Sequence, residues 1–115
     1  MPTEIELDVF SGRPNPTWNL EPSLEAELVN RLRALPPTHR QAPEPPGLGY
    51  RGLLIRPSPE TGPRHTIRVY RGVVKHPNGH REDPGRGLER WLLETGTAVL
   101  DANLVQMASK ELDRS

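Results

Sequence analysis

The residues best suited to recognise another molecule lie in one short segment, residues 10–18, which reads F-S-G-R-P-N-P-T-W. Arg13 offers planar, two-point capture of a carboxylate, and the Asn15 amide can pair with a peptide group. Phe10 and Trp18 offer apolar contact to the same ligand. Two prolines hold the residues before them in extended geometry, which reduces the entropy lost on binding. We therefore interpret the segment as a pre-set recognition edge.

The same segment also has a purely structural interpretation, which the sequence leaves open. Arg13 could bond loop carbonyls or a carboxylate of its own chain. Trp18 could cover a small core, because aromatic residues make up only 4% of the chain and one buried ring supplies much apolar area. The sequence does not decide between binding and bracing.

Arginine is used far more than lysine, with 13 Arg against 2 Lys. Six of the arginines fall in the region predicted below to form the sheet and its loops: Arg51, Arg56, Arg64, Arg68, Arg71 and Arg81. The functional interpretation is an arginine-lined sheet surface that receives an acidic extended segment, since guanidinium groups pair with carboxylates in two-point geometry. Simple balancing of surface charge is the alternative.

A catalytic alternative rests on His76, His80 and Asp83, which could form a loop site in a small metal- or histidine-dependent enzyme. The two histidines flank an Asn-Gly turn, and a zinc site there would need further ligands. The chain has no Cys, which excludes disulfides and thiolate chemistry. It also lacks the G-x-S-x-G and G-x-x-x-x-G-K motifs. We expect neither catalytic residues nor a cofactor or metal.

The first element that positions these residues is a strand over residues 3–9. Its aliphatic side chains alternate with Glu4, Glu6 and Asp8, which predicts one buried face and one solvated acidic face. Two further strands are predicted over residues 50–56 and 66–71. The second run continues past Gly72 to residue 75, which suggests a bulge or the close approach of another backbone, and a short return strand is expected at residues 80–82.

Three helices complete the predicted domain. Residues 22–35 carry leucines at helical spacing, Asp83 and Pro84 open a second helix, and Thr97 caps a third. Residues 38–49 form a proline-rich loop. We expect one α+β domain over residues 1–115, with an antiparallel or mixed sheet of three to four strands and about three helices on one face. The other face or an edge of the sheet then meets water or a partner.

Length and charge bound the class of protein. The 115 residues suit one domain, and Lys plus Arg equals Asp plus Glu at 15 each. Zero net charge argues against a nucleic-acid binder, whose affinity depends on excess cations. No apolar run approaches the roughly 20 residues of a membrane span, and residues 1–8 lack the pattern of a signal peptide. We expect a cytoplasmic protein that binds neither nucleic acid nor membrane.

Three stretches of the sequence resemble a known family. Residues 8–18 read D-V-F-S-G-R-P-N-P-T-W, residues 69–73 read V-Y-R-G-V, and residues 83–93 contain D-P-G-R and L-E-R-W-L-L. They resemble small bacterial peptide-binding proteins of crocagin biosynthesis, which share an F-S-G-R-P-N-P-x-W signature. Their pathway turns a ribosomally made precursor peptide into a pyrroloindoline natural product. The resemblance implies a non-catalytic protein that binds the leader part of the precursor peptide and assists a separate modifying enzyme.

Side-chain chemistry, rather than the resemblance, selects the candidate contacts. An uncovered strand edge can accept an extended peptide by main-chain pairing, and residues 50–56 and 66–75 supply the candidate edges. The same kind of edge could instead form a homodimer. The predicted peptide-binding residues are Phe10, Arg13, Asn15, Trp18, Arg68, Tyr70 and Arg71.

Overall fold

The structure is a computed structural model that describes residues 3–10, 12, 14–41, 44, 49–56, 65–76 and 79–113. Its strands are β1 (Glu4–Leu7), β2 (Thr17–Asn19), β3 (Leu53–Arg56), β4 (Ile67–Tyr70), β5 (Val73–His76) and β6 (Gly79–Glu82). Its helices are α1 (Pro22–Ala34), α2 (Gly87–Thr95) and α3 (Ala102–Asp113), with a 3-10 turn at Pro84–Arg86 before α2. The chain therefore has the predicted α+β class.

The described strands form one antiparallel sheet in the order β2-β1-β3-β4-β5-β6. Six strands exceed the predicted three to four. One added strand is β2, where only Trp18 is buried between two exposed neighbours. Three residues are too short for alternation to stand out in a sequence.

The second added strand comes from a turn that we expected to be a bulge. Arg71 and Gly72 both have positive φ, 51° and 79°, and Tyr70 pairs with Val73 across them. Two residues at positive φ make the type of turn that matches the twist of a tight hairpin. The predicted bulge at Gly72 is therefore wrong, and the run 66–75 is two strands.

The predicted binding edges are also wrong, because β3, β4 and β5 are internal strands with a partner on each side. The sheet ends at β2 and at β6. Part of the β6 edge is covered by the chain after α1, where Thr38 N–H donates to the His80 carbonyl at 3.0 Å and Glu82 N–H to the Pro36 carbonyl at 2.8 Å. The expected Asn-Gly turn between β5 and β6 includes residue 78, which lies outside the described residues.

The core lies between one face of the sheet and the helices. Inward side chains of β1, β3 and β4 are fully or almost fully buried, and they pack against Leu28 of α1 and Leu92 of α2. Trp18 reaches the end of α2, where its Nε1 donates to Thr95 Oγ1 at 2.9 Å. A side chain at Gly96 would meet the Trp18 ring at 2.5 Å, so this close approach needs glycine.

Two helix starts differ from the prediction. Asp83 does cap α2, but it does so across the 3-10 turn, by accepting the N–H groups of Leu88 at 2.8 Å and Glu89 at 3.0 Å. The third helix begins at Ala102 rather than just after Thr97. Asp101 is its cap, since Asp101 Oδ1 accepts the N–H of Asn103 at 2.7 Å. Within the described residues, no helix is long and apolar enough to cross a membrane.

Candidate functional site

The candidate site lies on the face of the sheet opposite the core, where Lys75 is exposed and Leu54, Arg68 and His80 are half-buried. Strand register places one row of directly opposed side chains across this face: Thr17, Glu6, Leu54, Arg68, Lys75 and His80. Successive side chains of a strand alternate between faces, so this row marks one face of the sheet, and we call the surface around the row the open face. At the β4–β5 turn the same face is closed, because Tyr70 and Val73 are buried there.

The acidic side chains of β1 do not simply face solvent, as the alternation had suggested. Asp8 Oδ1 lies 3.0 Å from Arg51 Nη2, and Asp8 Oδ2 lies 2.9 Å from Arg68 Nη1. Glu6 pairs with Arg56 at 2.8 Å. The Asp8 side chain is only 11% exposed, so its two ion pairs are sheltered from solvent, whereas the Arg56 side chain is 45% exposed. The arginine-lined face thus receives an acidic extended segment of its own chain.

The side-chain amide of Asn15 makes all of its hydrogen bonds within this arrangement. Its Oδ1 accepts the N–H groups of Val9 at 3.0 Å and Phe10 at 2.8 Å. Its Nδ2 donates to Glu6 at 3.0 Å and Asp8 at 3.1 Å. A primary amide has two donor hydrogens and one oxygen with two lone pairs, so all four positions are used within the chain. Asn15 therefore braces the segment after β1.

The other predicted contacts lie in different surroundings. Trp18 and Tyr70 are buried, and the Tyr70 ring lies 6.0 Å from that of Tyr50. Phe10 is half-buried against the core. Arg13 lies outside the described residues.

The two remaining predicted contacts are arginines with room for a ligand. The Arg68 side chain is 28% exposed beside Asp8, and Arg71 is exposed at the β4–β5 turn. The structure brings only Arg68 into the row that defines the open face.

A shallow cleft of about 270 Å³ opens on this face and is lined by Leu54, Thr66, Arg68, Lys75 and His76. Pockets for small ligands usually measure roughly 300–1,000 Å³, so this one suits a single side chain of a larger partner. Sequence analysis missed Leu54. Its signal was position, because Leu54 falls between two buried residues of β3 at a point where alternation calls for a polar side chain.

His76 sits at the rim of this cleft. Its ring centroid lies 6.1 Å from that of His65. Burial, then the neighbouring His65 and Arg81, lowers the pKa of His76 below its ordinary 6.5. The imidazole is therefore neutral at pH 7, and because His76 follows Lys75 on β5 its side chain leaves the strand on the opposite face.

The structure brings together only part of the catalytic alternative, because His76 and His80 both line a small cleft that Asp83 does not line. Lys75 pairs with His80 and His76 with Gly79, so His76 and His80 leave the hairpin on opposite faces. Asp83 is 2% exposed and its carboxylate is occupied at the start of α2. Burial is the main cause that raises the pKa of Asp83. In the described ranges, no group of three or more His, Asp or Glu side chains is placed to hold a metal ion.

A buried ion pair beside the β4–β5 turn was also missed. Glu89 is 0% exposed, bonds Arg86 at 2.8 and 3.0 Å, and accepts the Tyr50 hydroxyl. It also accepts the N–H of Gly72 at 3.3 Å. The cluster thereby fixes the turn from which β4 and β5 extend. In the sequence, Glu89 looks like a solvent-facing residue of an amphipathic helix.

No family model, curated protein or solved structure matches this chain. The chemistry of the open face therefore carries the functional assignment. That face offers apolar contact at Leu54 and hydrogen-bond donors at Arg68 and Lys75.

Proposed function

We propose that this chain is a non-catalytic peptide-binding protein that holds an extended segment of a ribosomal precursor peptide on its open face. The observation that carries the proposal is a half-buried leucine, Leu54, that lines a cleft on the face of the sheet opposite the core. Packing an apolar side chain of a ligand against Leu54 would remove apolar surface of both from water, which favours binding. The cleft is sized for one side chain of such a partner.

The peptide is recognised by side chains rather than by addition as a strand to β3, β4 or β5. The main-chain groups of these strands are already committed to their neighbours. An extended peptide can instead lie across the strands, with one apolar side chain over Leu54. Arg68 and Lys75 then flank it as donors.

The predicted contact residues take different parts in this proposal. Arg68 and Arg71 present charge to the peptide, and Arg13, which lies outside the described residues, stays a predicted contact. Trp18 and Tyr70 support the sheet from buried positions. The two remaining candidates, Phe10 and Asn15, hold that segment against β1.

The biological setting of the proposal comes from the motif resemblance. The ligand is the leader part of a precursor peptide in the biosynthesis of a pyrroloindoline alkaloid, and the second partner is the enzyme that modifies the peptide. Such a peptide is made on ribosomes, which places the interaction in the cytoplasm. A homodimer formed through the outer edge of β2 is the alternative assembly. The mass of the protein in solution distinguishes a monomer from this dimer.

The test is calorimetric titration of the purified protein with three synthetic peptides: the full-length precursor, its leader part alone and its core part alone. We expect saturable one-site binding to the leader. Leu54→Glu should weaken it at least tenfold, because the carboxylate must lose its hydration at the apolar contact. Val99→Glu is the matched control, since Val99 is 61% exposed on the helical side. Failure of the leader to bind would overturn the proposal, as would equal affinities of the wild type and the Leu54 variant.

A further inference from the structure

Two arginines hold a backbone conformation that side chains usually avoid. In the described part of the chain, the residues other than glycine with positive φ are Arg71, at 51°, and Arg86, at 56°. This left-handed conformation is unfavourable for a residue with a side chain, and glycine adopts it freely. Strained residues of this kind cluster at binding and other functional sites. Each arginine is therefore expected to make a contact that glycine could not make.

Arg86 makes such contacts inside the protein. Its guanidinium pairs with the buried Glu89 at 2.8 Å and donates to the Glu111 carbonyl at 2.8 Å. The Arg86 side chain is accordingly only 12% exposed. Glycine at this position would leave the Glu89 carboxylate buried without its counter-charge, which is strongly destabilising. The fold itself thus accounts for the backbone conformation of Arg86.

Arg71 has no comparable contact among the residues that the structure describes. It is exposed at the β4–β5 turn, and there it makes neither an ion pair nor a side-chain hydrogen bond. Arg68, the other basic candidate on this hairpin, differs because Asp8 offsets its charge at 2.9 Å. Of these two arginines, Arg71 therefore has the guanidinium that is available to a ligand.

The turn that carries Arg71 is fixed through its glycine. Gly72 N–H donates to Glu89 Oε1 at 3.3 Å. The Gly72 carbonyl accepts the N–H of Asp83 at 2.8 Å and Nη2 of Arg40 at 2.9 Å. A backbone that is already fixed loses little entropy when a ligand binds. Only the side chain of Arg71 then has to become ordered.

We propose that Arg71 gives the site its preference for anionic peptides, by pairing with a carboxylate of the bound ligand. This inference rests on the proposed function and names the charge that the peptide carries. The planar guanidinium is suited to bind both oxygens of a carboxylate. Arg71 follows Arg68 by three residues, or about 10 Å at about 3.3 Å per residue. A peptide of a few residues therefore spans the distance between the cleft and Arg71, whichever way its chain runs.

The same substitution is expected to change stability and affinity in opposite directions. Arg71→Gly relieves the strained backbone and should raise the melting temperature. It also removes the charge, and it should weaken binding of an acidic peptide about threefold to fivefold at low salt, because exposed ion pairs are weak. The loss should shrink at high salt. An arginine that only shaped the turn would not produce this combination.

The experiment titrates the leader peptide against four proteins by calorimetry. These are the wild type, Arg71→Gly, Arg71→Gln and the control Arg33→Gln, which makes the same charge change on the exposed surface of α1. A second leader has each aspartate and glutamate replaced by its amide. The wild type and Arg33→Gln should prefer the acidic leader by the same factor, and both Arg71 variants should lose about threefold to fivefold of that preference. Thermal unfolding confirms that all four proteins are folded.

The outcomes separate the inference from the proposed function. If the leader binds and both Arg71 variants keep the wild-type preference, or if Arg33→Gln loses as much of it, the inference is wrong and the proposed function stands. If neither leader binds to the wild type, the proposed function fails, and the inference fails with it.

Discussion

Replacing the buried Glu89 by glutamine should destabilise the protein by about 3 kcal/mol. Glutamine keeps the shape of the side chain but leaves the Arg86 guanidinium, which is 12% exposed, without its counter-charge. Removing one partner of a buried ion pair costs about 3–5 kcal/mol. The lower end applies here because Arg86 keeps a hydrogen bond of 2.8 Å to the Glu111 carbonyl. The total free energy of unfolding of a small domain is only about 5–15 kcal/mol.

Urea unfolding followed by tryptophan fluorescence measures this change. With a slope of about 1.5 kcal/mol per molar, a loss of about 3 kcal/mol lowers the midpoint by about 2 M. Glu27→Gln is the matched control, because Glu27 pairs with Arg31 on the surface of α1 with 42% of each side chain exposed. That pair should contribute less than about 1 kcal/mol. Equal losses in the two variants would refute the role given to burial.

Two further predictions concern the same end of the sheet. Arg71→Gly should stabilise the protein by about 1 kcal/mol, because a left-handed backbone costs a residue with a side chain about 1–2 kcal/mol. Thermal unfolding measures this gain, and a lowered melting temperature would contradict the turn geometry. Burial, reinforced by the Glu89 carboxylate, raises the pKa of Tyr50 above its ordinary 10.0. The folded state thus favours the protonated phenol, so this contribution is complete below about pH 10 and falls as the pH rises further. Tyr50→Phe should remove that alkaline loss of unfolding free energy, and an unchanged slope between about pH 10 and 11 would contradict it.

Local patterns in the sequence were enough to predict the elements that alternate or repeat over a full length. The strand at β1 follows from its aliphatic and acidic alternation, and α1 follows from its leucine spacing. The strand β2 was missed because a three-residue strand has no period of its own. The hairpin at Arg71 and Gly72 was missed because arginine is rare at positive φ, so the glycine was taken for a bulge.

The chemistry of the site depended on contacts that join distant parts of the chain. The Asp8 carboxylate, just after β1, is neutralised by Arg51 and Arg68, more than forty residues away. No local pattern shows which face of a sheet will carry the opposite charge. Leu54 could have been singled out from the sequence. It is an aliphatic residue between two inward-facing aliphatic residues of β3, where alternation calls for a polar side chain.

The most direct test of the central claim is a map of where the leader peptide binds. Amide chemical shifts of the ¹⁵N-labelled protein, recorded during titration with the leader, report the contacted residues in a chain of 115 residues. The account predicts that the largest changes fall on the open face around Leu54, Arg68 and Lys75. Changes confined to the outer edge of β2 or to α3, or no changes at saturating peptide, would contradict it.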